Sequence, residues 1–136
     1  MTDREKWAIW TLGVVVATVI AYIAFVVWRG IGPATQAVFA LLALTALPVT
    51  SRRRLKGYSL DEREKEIAGK ALLASFRALW VVFIGLVLSV GFTKGWDTTL
   101  SLPMWMLSEA LWWSATLVLA VQAVTTLVLY RGGSNA

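Results

Sequence analysis

Two ionisable side chains, Glu109 and Arg77, lie in or beside long apolar stretches of the 136-residue sequence and are its first candidates for chemistry. An ionisable group in a membrane span is a functional hypothesis by default, because a charge at the bilayer centre costs about 2.5–3.5 kcal/mol. Glu109 is therefore the candidate for a proton or cation site. Since Trp105 and Trp113 flank it at four residues on either side, we expect a carboxylate at the outer rim, solvated or bonded to an indole N–H.

Arg77 is the basic residue that falls inside a predicted span. It follows Lys70 by about two helical turns, which places it roughly 9–10 Å from the cytoplasmic edge of the membrane. A guanidinium can extend over that distance to lipid phosphates. We therefore expect Arg77 to bind lipid headgroups or a partner subunit, and not to pair with Glu109 near the opposite membrane face.

Cysteine and histidine are both absent from the sequence. Their absence excludes disulfides, thiol catalysis, Cys/His zinc sites and the usual axial ligand of haem. The sequence predicts no catalytic residue, no cofactor-binding residue and no metal ligand, and we expect a protein that is not an enzyme.

The elements that would position these residues are long apolar segments. Hydrophobic residues make up 58% of the chain and charged residues 15%, against roughly 25% charged in a soluble domain. The pattern predicts an all-α polytopic membrane protein, one integral membrane domain over 1–136, folded as a four-helix transmembrane bundle of two helical hairpins. The predicted spans are 7–28, 34–50, 71–92 and 110–130, and a capping box from Ser59 to Glu62 predicts a cytoplasmic helical extension over 59–70.

Lysine and arginine set the predicted orientation. With both termini in the cytoplasm, ten of these residues lie on the cytoplasmic side and two in the outer loops. This bias predicts a multi-pass, N-in/C-in protein of the cytoplasmic (inner) membrane. The basic cluster Arg52, Arg53, Arg54 and Lys56 borders a span, so we interpret it as a site for anionic lipid headgroups and not for nucleic acid.

Small and weakly polar residues mark predicted helix-contact faces. They are Gly13, Ala17 and Ala21 in the first span, Gly85 and Ser89 in the third, and Gln122 in the fourth. Small residues let helix backbones approach closely in membranes, and amide side chains join helices by hydrogen bonds. The neighbour is either this chain or another membrane subunit.

The segment Leu60–Ala71, with Asp61-Glu62-Arg63-Glu64 followed by Ile67 and Lys70-Ala71, precedes the third span. It resembles a pattern in small predicted prokaryotic membrane proteins of unknown function, and the resemblance implies no activity. The small multidrug transporters share the length and the four predicted spans, but they need a carboxylate in the first span, and none is present in 7–28. A similar charged segment, Asp3 to Lys6, precedes the first span, so the two hairpins could be a tandem duplication.

Three functions stay open at this point. The first is a non-catalytic accessory or scaffolding subunit of a larger membrane complex, with a photosynthetic or respiratory host as the expected kind. The alternative is a small oligomeric transporter or channel that uses Glu109 or Arg77. The third is a regulatory or immunity-type membrane protein that signals through residues 59–70.

Overall fold

The computed structural model describes residues 3–45 and 62–133. The basic cluster Arg52, Arg53, Arg54 and Lys56 lies outside the described residues, as does Ser59 of the predicted capping box. Within the described ranges the chain is helical, with four helices and no strands. The prediction of an all-α fold is confirmed, and three of these helices are long and apolar enough to cross a membrane.

The first helix, α1, runs over Asp3–Arg29. Asp3 and Glu5 in its first turn and Arg29 in its last turn match the partial charges of the helix ends. Gly30 ends it with a φ of 80°, a conformation that glycine adopts without steric cost, and its N–H donates to the Val26 carbonyl at 2.8 Å.

The second element, η1, is a 3₁₀ helix over Pro33–Thr45. The sequence predicts a helical span over 34–50 at this place. The described part of that span is wound more tightly than an α-helix, and residues 46–50 lie outside the described residues. Threonine hydroxyls contribute at both ends, because Thr35 donates to the Gly32 carbonyl at 2.6 Å and Thr45 to the Leu42 carbonyl at 2.8 Å. Both bonds reach back three residues, which is the spacing of the 3₁₀ turn.

The third element, α2, runs over Glu62–Lys94 and begins with polar turns. Lys70 forms an i,i+4 ion pair with Glu66 at 2.7 Å. The helix ends at Lys94, and Gly95 follows it with a φ of 92°. There the indole of Trp96 folds back over Gly91, so close that a Cβ at Gly91 would lie 2.5 Å from the ring.

The last helix, α3, runs over Met104–Gly133 and contacts all three other elements. Pro103 precedes it, and the Pro103 carbonyl accepts the Met106 N–H at 3.0 Å. Four of its buried positions recur at seven-residue intervals, a period typical of helices packed at shallow angles. They are Glu109, Thr116, Ala123 and Tyr130.

The buried face of α1 consists of Ala8, Thr11, Val14, Val15 and Thr18. It is not the ridge of Gly13, Ala17 and Ala21, of which Gly13 and Ala17 are exposed and Ala21 is half-buried. A side chain added at Gly13 would meet nothing within 4 Å. The predicted small-residue ridge therefore does not pack inside the described part of the chain.

Helix α2 packs through its N-terminal half. Its buried residues there follow helical spacing, and they are Glu64, Ile67, Ala71 and Ser75. Every residue from 80 to 89 is exposed, including the predicted contact residues Gly85 and Ser89. This part of α2 is therefore not buried against the other described helices.

Candidate functional site

Glu109 lies on α3 five residues after its first residue, Met104, and is buried, with 8% of its surface exposed. The expectation of a solvated rim carboxylate, or one bonded to an indole N–H, is therefore wrong. The physical reason is that α1 and η1 close over this turn of α3 and present hydroxyl groups to the carboxylate.

Two hydroxyl groups converge on the same carboxylate oxygen. The Tyr22 hydroxyl of α1 donates to Glu109 Oε1 at 3.0 Å, and the Thr35 hydroxyl of η1 also lies in hydrogen-bond contact with Oε1. Among the described residues, Oε2 has no hydrogen-bond partner. Glu109 thus joins three elements through one oxygen.

A second set of polar contacts lies beside the first. The Gln36 amide donates to the Trp105 carbonyl at 3.3 Å, and the Ser108 hydroxyl donates to Gln36 Oε1 at 2.8 Å. Gln36 follows Thr35 in the chain, and Ser108 precedes Glu109. The two adjacent pairs hold the first turn of η1 against the first turns of α3, which fixes the position of the carboxylate.

An aromatic cluster surrounds the buried carboxylate. The Tyr22 and Trp113 rings meet edge to face with their centroids 4.9 Å apart, and Phe39 lies 5.6 Å from Tyr22 and 5.3 Å from Trp113. Trp112 stacks on Phe39 at 6.1 Å. Phe39 is 1% exposed, so these rings exclude water from one side of Glu109 and leave it in apolar surroundings.

No basic side chain of the described residues forms an ion pair with Glu109. Arg77 is exposed on α2, in agreement with the expectation that these two residues do not pair. The described ranges also contain no group of three or more His, Cys, Asp or Glu side chains suited to a metal ion. A charge that is buried without an ionic partner is costly.

The other predicted site residues lie away from this cluster. Gln122 is half-buried on α3, where its backbone carbonyl accepts the Thr126 hydroxyl at 2.7 Å. Gly85 is open to its surroundings, and the Ser89 hydroxyl donates to the Gly85 carbonyl at 2.7 Å within the same helix. The structure therefore does not bring the helix-contact candidates together.

Sequence reasoning missed Tyr22, Thr35, Gln36 and Ser108. A signal for two of them was present, since Thr35 and Gln36 are adjacent polar residues at the start of a segment built mostly of Ala, Leu, Val and Phe. Polar groups in a membrane segment need partners. Their presence therefore pointed to a polar group on a neighbouring helix.

Comparison with known proteins gives one match. Residues 4–133 match the model of a family described as "Predicted membrane protein (DUF2178)". No curated protein and no solved structure matches the chain.

Proposed function

For a chain that belongs to this family of predicted membrane proteins, we propose the function of a small oligomeric transporter or channel whose ion-binding group is Glu109. The observation that carries the proposal is the burial of Glu109 between α1, η1 and α3 with two hydroxyl partners and no basic partner among the described residues. This is the alternative function that the sequence left open.

The energetics support a site that exchanges an ion. A charge held in the membrane costs about 2.5–3.5 kcal/mol, so an intramembrane carboxylate is rarely present without a use. Hydroxyl bonds alone offset little of this cost, since interhelical hydrogen bonds in membranes average about 0.6 kcal/mol. Glutamine or serine would join the three elements at lower cost, which favours a role for the ionisable group itself.

The proposal is tested by charge displacement on a solid-supported membrane that carries the reconstituted full-length protein. Jumps in the concentration of protons, Na⁺ or K⁺ are applied in separate runs. We expect at least one ion to give a current that Glu109→Gln abolishes. Asp97→Asn, at an exposed carboxylate in the outer loop, is the matched control and should keep the current. Equal currents in the unmodified protein and Glu109→Gln would refute the proposal.

The accessory or scaffolding subunit is a second candidate, and the exposed small residues favour it. Gly13 and Gly85 have room for a side chain on every side within the described chain, although small residues are typical of close helix contacts in membranes. Close contact with a helix of a partner subunit would require small residues at these two positions. A photosynthetic or respiratory host complex stays a prediction.

Gentle detergent extraction tests this second candidate. We expect a host complex to co-purify at fixed stoichiometry, and Gly13→Leu or Gly85→Leu to reduce its recovery. Val81→Leu, at another exposed position of α2, should leave recovery unchanged. Recovery of the unmodified protein only as a lone monomer would count against an accessory role.

A further inference from the structure

We infer that the ion bound by Glu109 is a proton, held between Glu109 Oε1 and the hydroxyl oxygen of Thr35. The inference rests on the proposed function, because it names the ligand of the same site. Three oxygen atoms meet here: Thr35 Oγ1, the Gly32 carbonyl oxygen and Glu109 Oε1. The proton is inferred from the number of hydrogen atoms between them.

Thr35 has one hydroxyl hydrogen and two close oxygen neighbours. Its Oγ1 lies 2.6 Å from the Gly32 carbonyl oxygen and is also in hydrogen-bond contact with Glu109 Oε1. A carbonyl oxygen never donates, so the contact with Gly32 uses the hydrogen of Thr35. Without that hydrogen, two acceptor oxygens would face each other at 2.6 Å.

A second hydrogen between Thr35 and Glu109 lets the hydroxyl keep its bond to Gly32 without sharing one hydrogen between two acceptors. An ionised carboxylate accepts only, whereas a protonated carboxyl group has one O–H to donate. A proton on Glu109 Oε1 satisfies the contact, with Thr35 Oγ1 as its acceptor. Oε1 keeps the capacity to accept the Tyr22 hydroxyl at 3.0 Å.

Metal ions fit this arrangement poorly. Ca²⁺ takes six to eight oxygen ligands and Mg²⁺ demands an octahedral set. Here the two hydroxyls face Oε1 as hydrogen-bond partners, and the rings of Phe39 and Trp113 occupy the adjoining space. Within residues 3–45 and 62–133 no second carboxylate joins Glu109 in a group suited to a metal ion. One free carboxylate oxygen, Oε2, would have to replace most of the hydration shell of a metal ion.

Few other titratable groups face the site. Helix α1 contributes Tyr22, and η1 contributes none, since Pro33–Thr45 contains no ionisable residue. Helix α2, which packs on α3, carries Arg77 and Lys94 in its apolar and outer parts, and both are exposed. A proton-linked signal that depends on residue 109 therefore reports on Glu109 and its hydroxyl partners.

Infrared difference spectroscopy of the full-length protein in lipid nanodiscs tests the inference. We expect a carbonyl band of a protonated carboxyl group that is lost in Glu109→Gln and retained in Asp97→Asn. Addition of NaCl, KCl, MgCl₂ or CaCl₂ at constant pH should leave the band unchanged. Thr35→Val, which removes the acceptor but keeps the shape, should shift the band toward that of a carboxyl group without a hydrogen-bond acceptor. Thr35→Ser should restore its position.

The possible outcomes separate the two proposals. A Glu109-dependent spectral change produced by a metal salt, with no Glu109-dependent protonated band at any pH, would overturn the proton and keep the ion-binding site. A spectrum in which neither protons nor salts produce a Glu109-dependent change would overturn both. A protonated-carboxyl band whose position does not change in Thr35→Val would show that the proton does not lie between Glu109 and Thr35.

Discussion

The hydroxyl of Tyr22 donates to Oε1 of Glu109 at 3.0 Å and so joins two residues that are 87 positions apart in the chain. This bond links the C-terminal third of α1 to the N-terminal part of α3. Thr35, on η1, reaches the same oxygen. Glu109 on α3 thus contacts both α1 and η1 through its carboxyl group.

Loss of the carboxylate should destabilise the helix packing only where no acceptor replaces it. Glu109→Ala removes the contacts that the hydroxyls of Tyr22 and Thr35 make with the carboxyl group, and at about 0.6–1.7 kcal/mol for each interhelical bond we expect a loss of about 1–3 kcal/mol. Glu109→Gln keeps an oxygen for them and should lose less. Unfolding in mixed detergent micelles measures the difference, and equal losses in the two variants would contradict the structural role.

Removal of the Tyr22 hydroxyl should weaken the contact between α1 and α3 without disturbing the aromatic cluster. Tyr22→Phe keeps the ring contacts with Phe39 and Trp113, and we expect a loss of about 0.6–1.7 kcal/mol in the free energy of unfolding. Tyr22→Ala also leaves a cavity, so its loss should reach about 3–5 kcal/mol. Tyr22→Phe in a Glu109→Ala background should then cost nothing further, because the acceptor is already absent.

A methyl group at Gly91 should displace the indole of Trp96. The added Cβ would lie 2.5 Å from the ring, which must therefore turn away from the end of α2. We expect Gly91→Ala to lower the free energy of unfolding by about 0.5–1.5 kcal/mol through the lost packing of the ring. In a Trp96→Ala background the same change should be neutral. Equal costs in the two backgrounds would show that Trp96 does not rest on Gly91.

The charged start of α2 gives a pH-dependent prediction. The hydrogen bond from Lys70, and next the charge of Lys70, lower the pKa of Glu66. Because the folded-state pKa is lowered, the ion pair supports the helix at neutral pH, and this support is lost as the pH falls through the folded-state pKa. We expect an NMR titration of the Glu66 carboxyl carbon to show a pKa below the ordinary value. Lys70→Gln should restore the ordinary value and Lys65→Gln should not.

The fold was predictable because charge-free runs of membrane length are a strong signal. Residues 7–28 contain no charge, and α1 covers them fully. The winding of η1 was not predictable, since a run of Ala, Leu and Val has no periodicity that separates a 3₁₀ helix from an α-helix. The hydroxyls of Thr35 and Thr45 bond to carbonyls three residues earlier, but Ser75 forms the same kind of bond within the α-helix α2.

The site was predictable only as a single residue. The sequence identified Glu109 but placed it at a solvated rim, because its flanking tryptophans are typical of the interface. Burial of the carboxylate depends on Tyr22 and Thr35, which are 87 and 74 residues away along the chain. Local spacing carries no information about partners at that separation, so the hydroxyl pair emerges only when the helices are packed.

The winding of η1 also bears on membrane thickness. Its 13 residues reach about 26 Å at about 2.0 Å per residue, whereas an α-helix of that length would reach about 20 Å. Cellular membranes differ in hydrocarbon thickness by about 5–6 Å, from thin endoplasmic-reticulum-type bilayers to thicker sterol-rich ones. The two windings of η1 differ in length by about 6 Å, which is of the same size. Rewinding of this one segment would thus change its own length and leave the lengths of the three long helices unaltered.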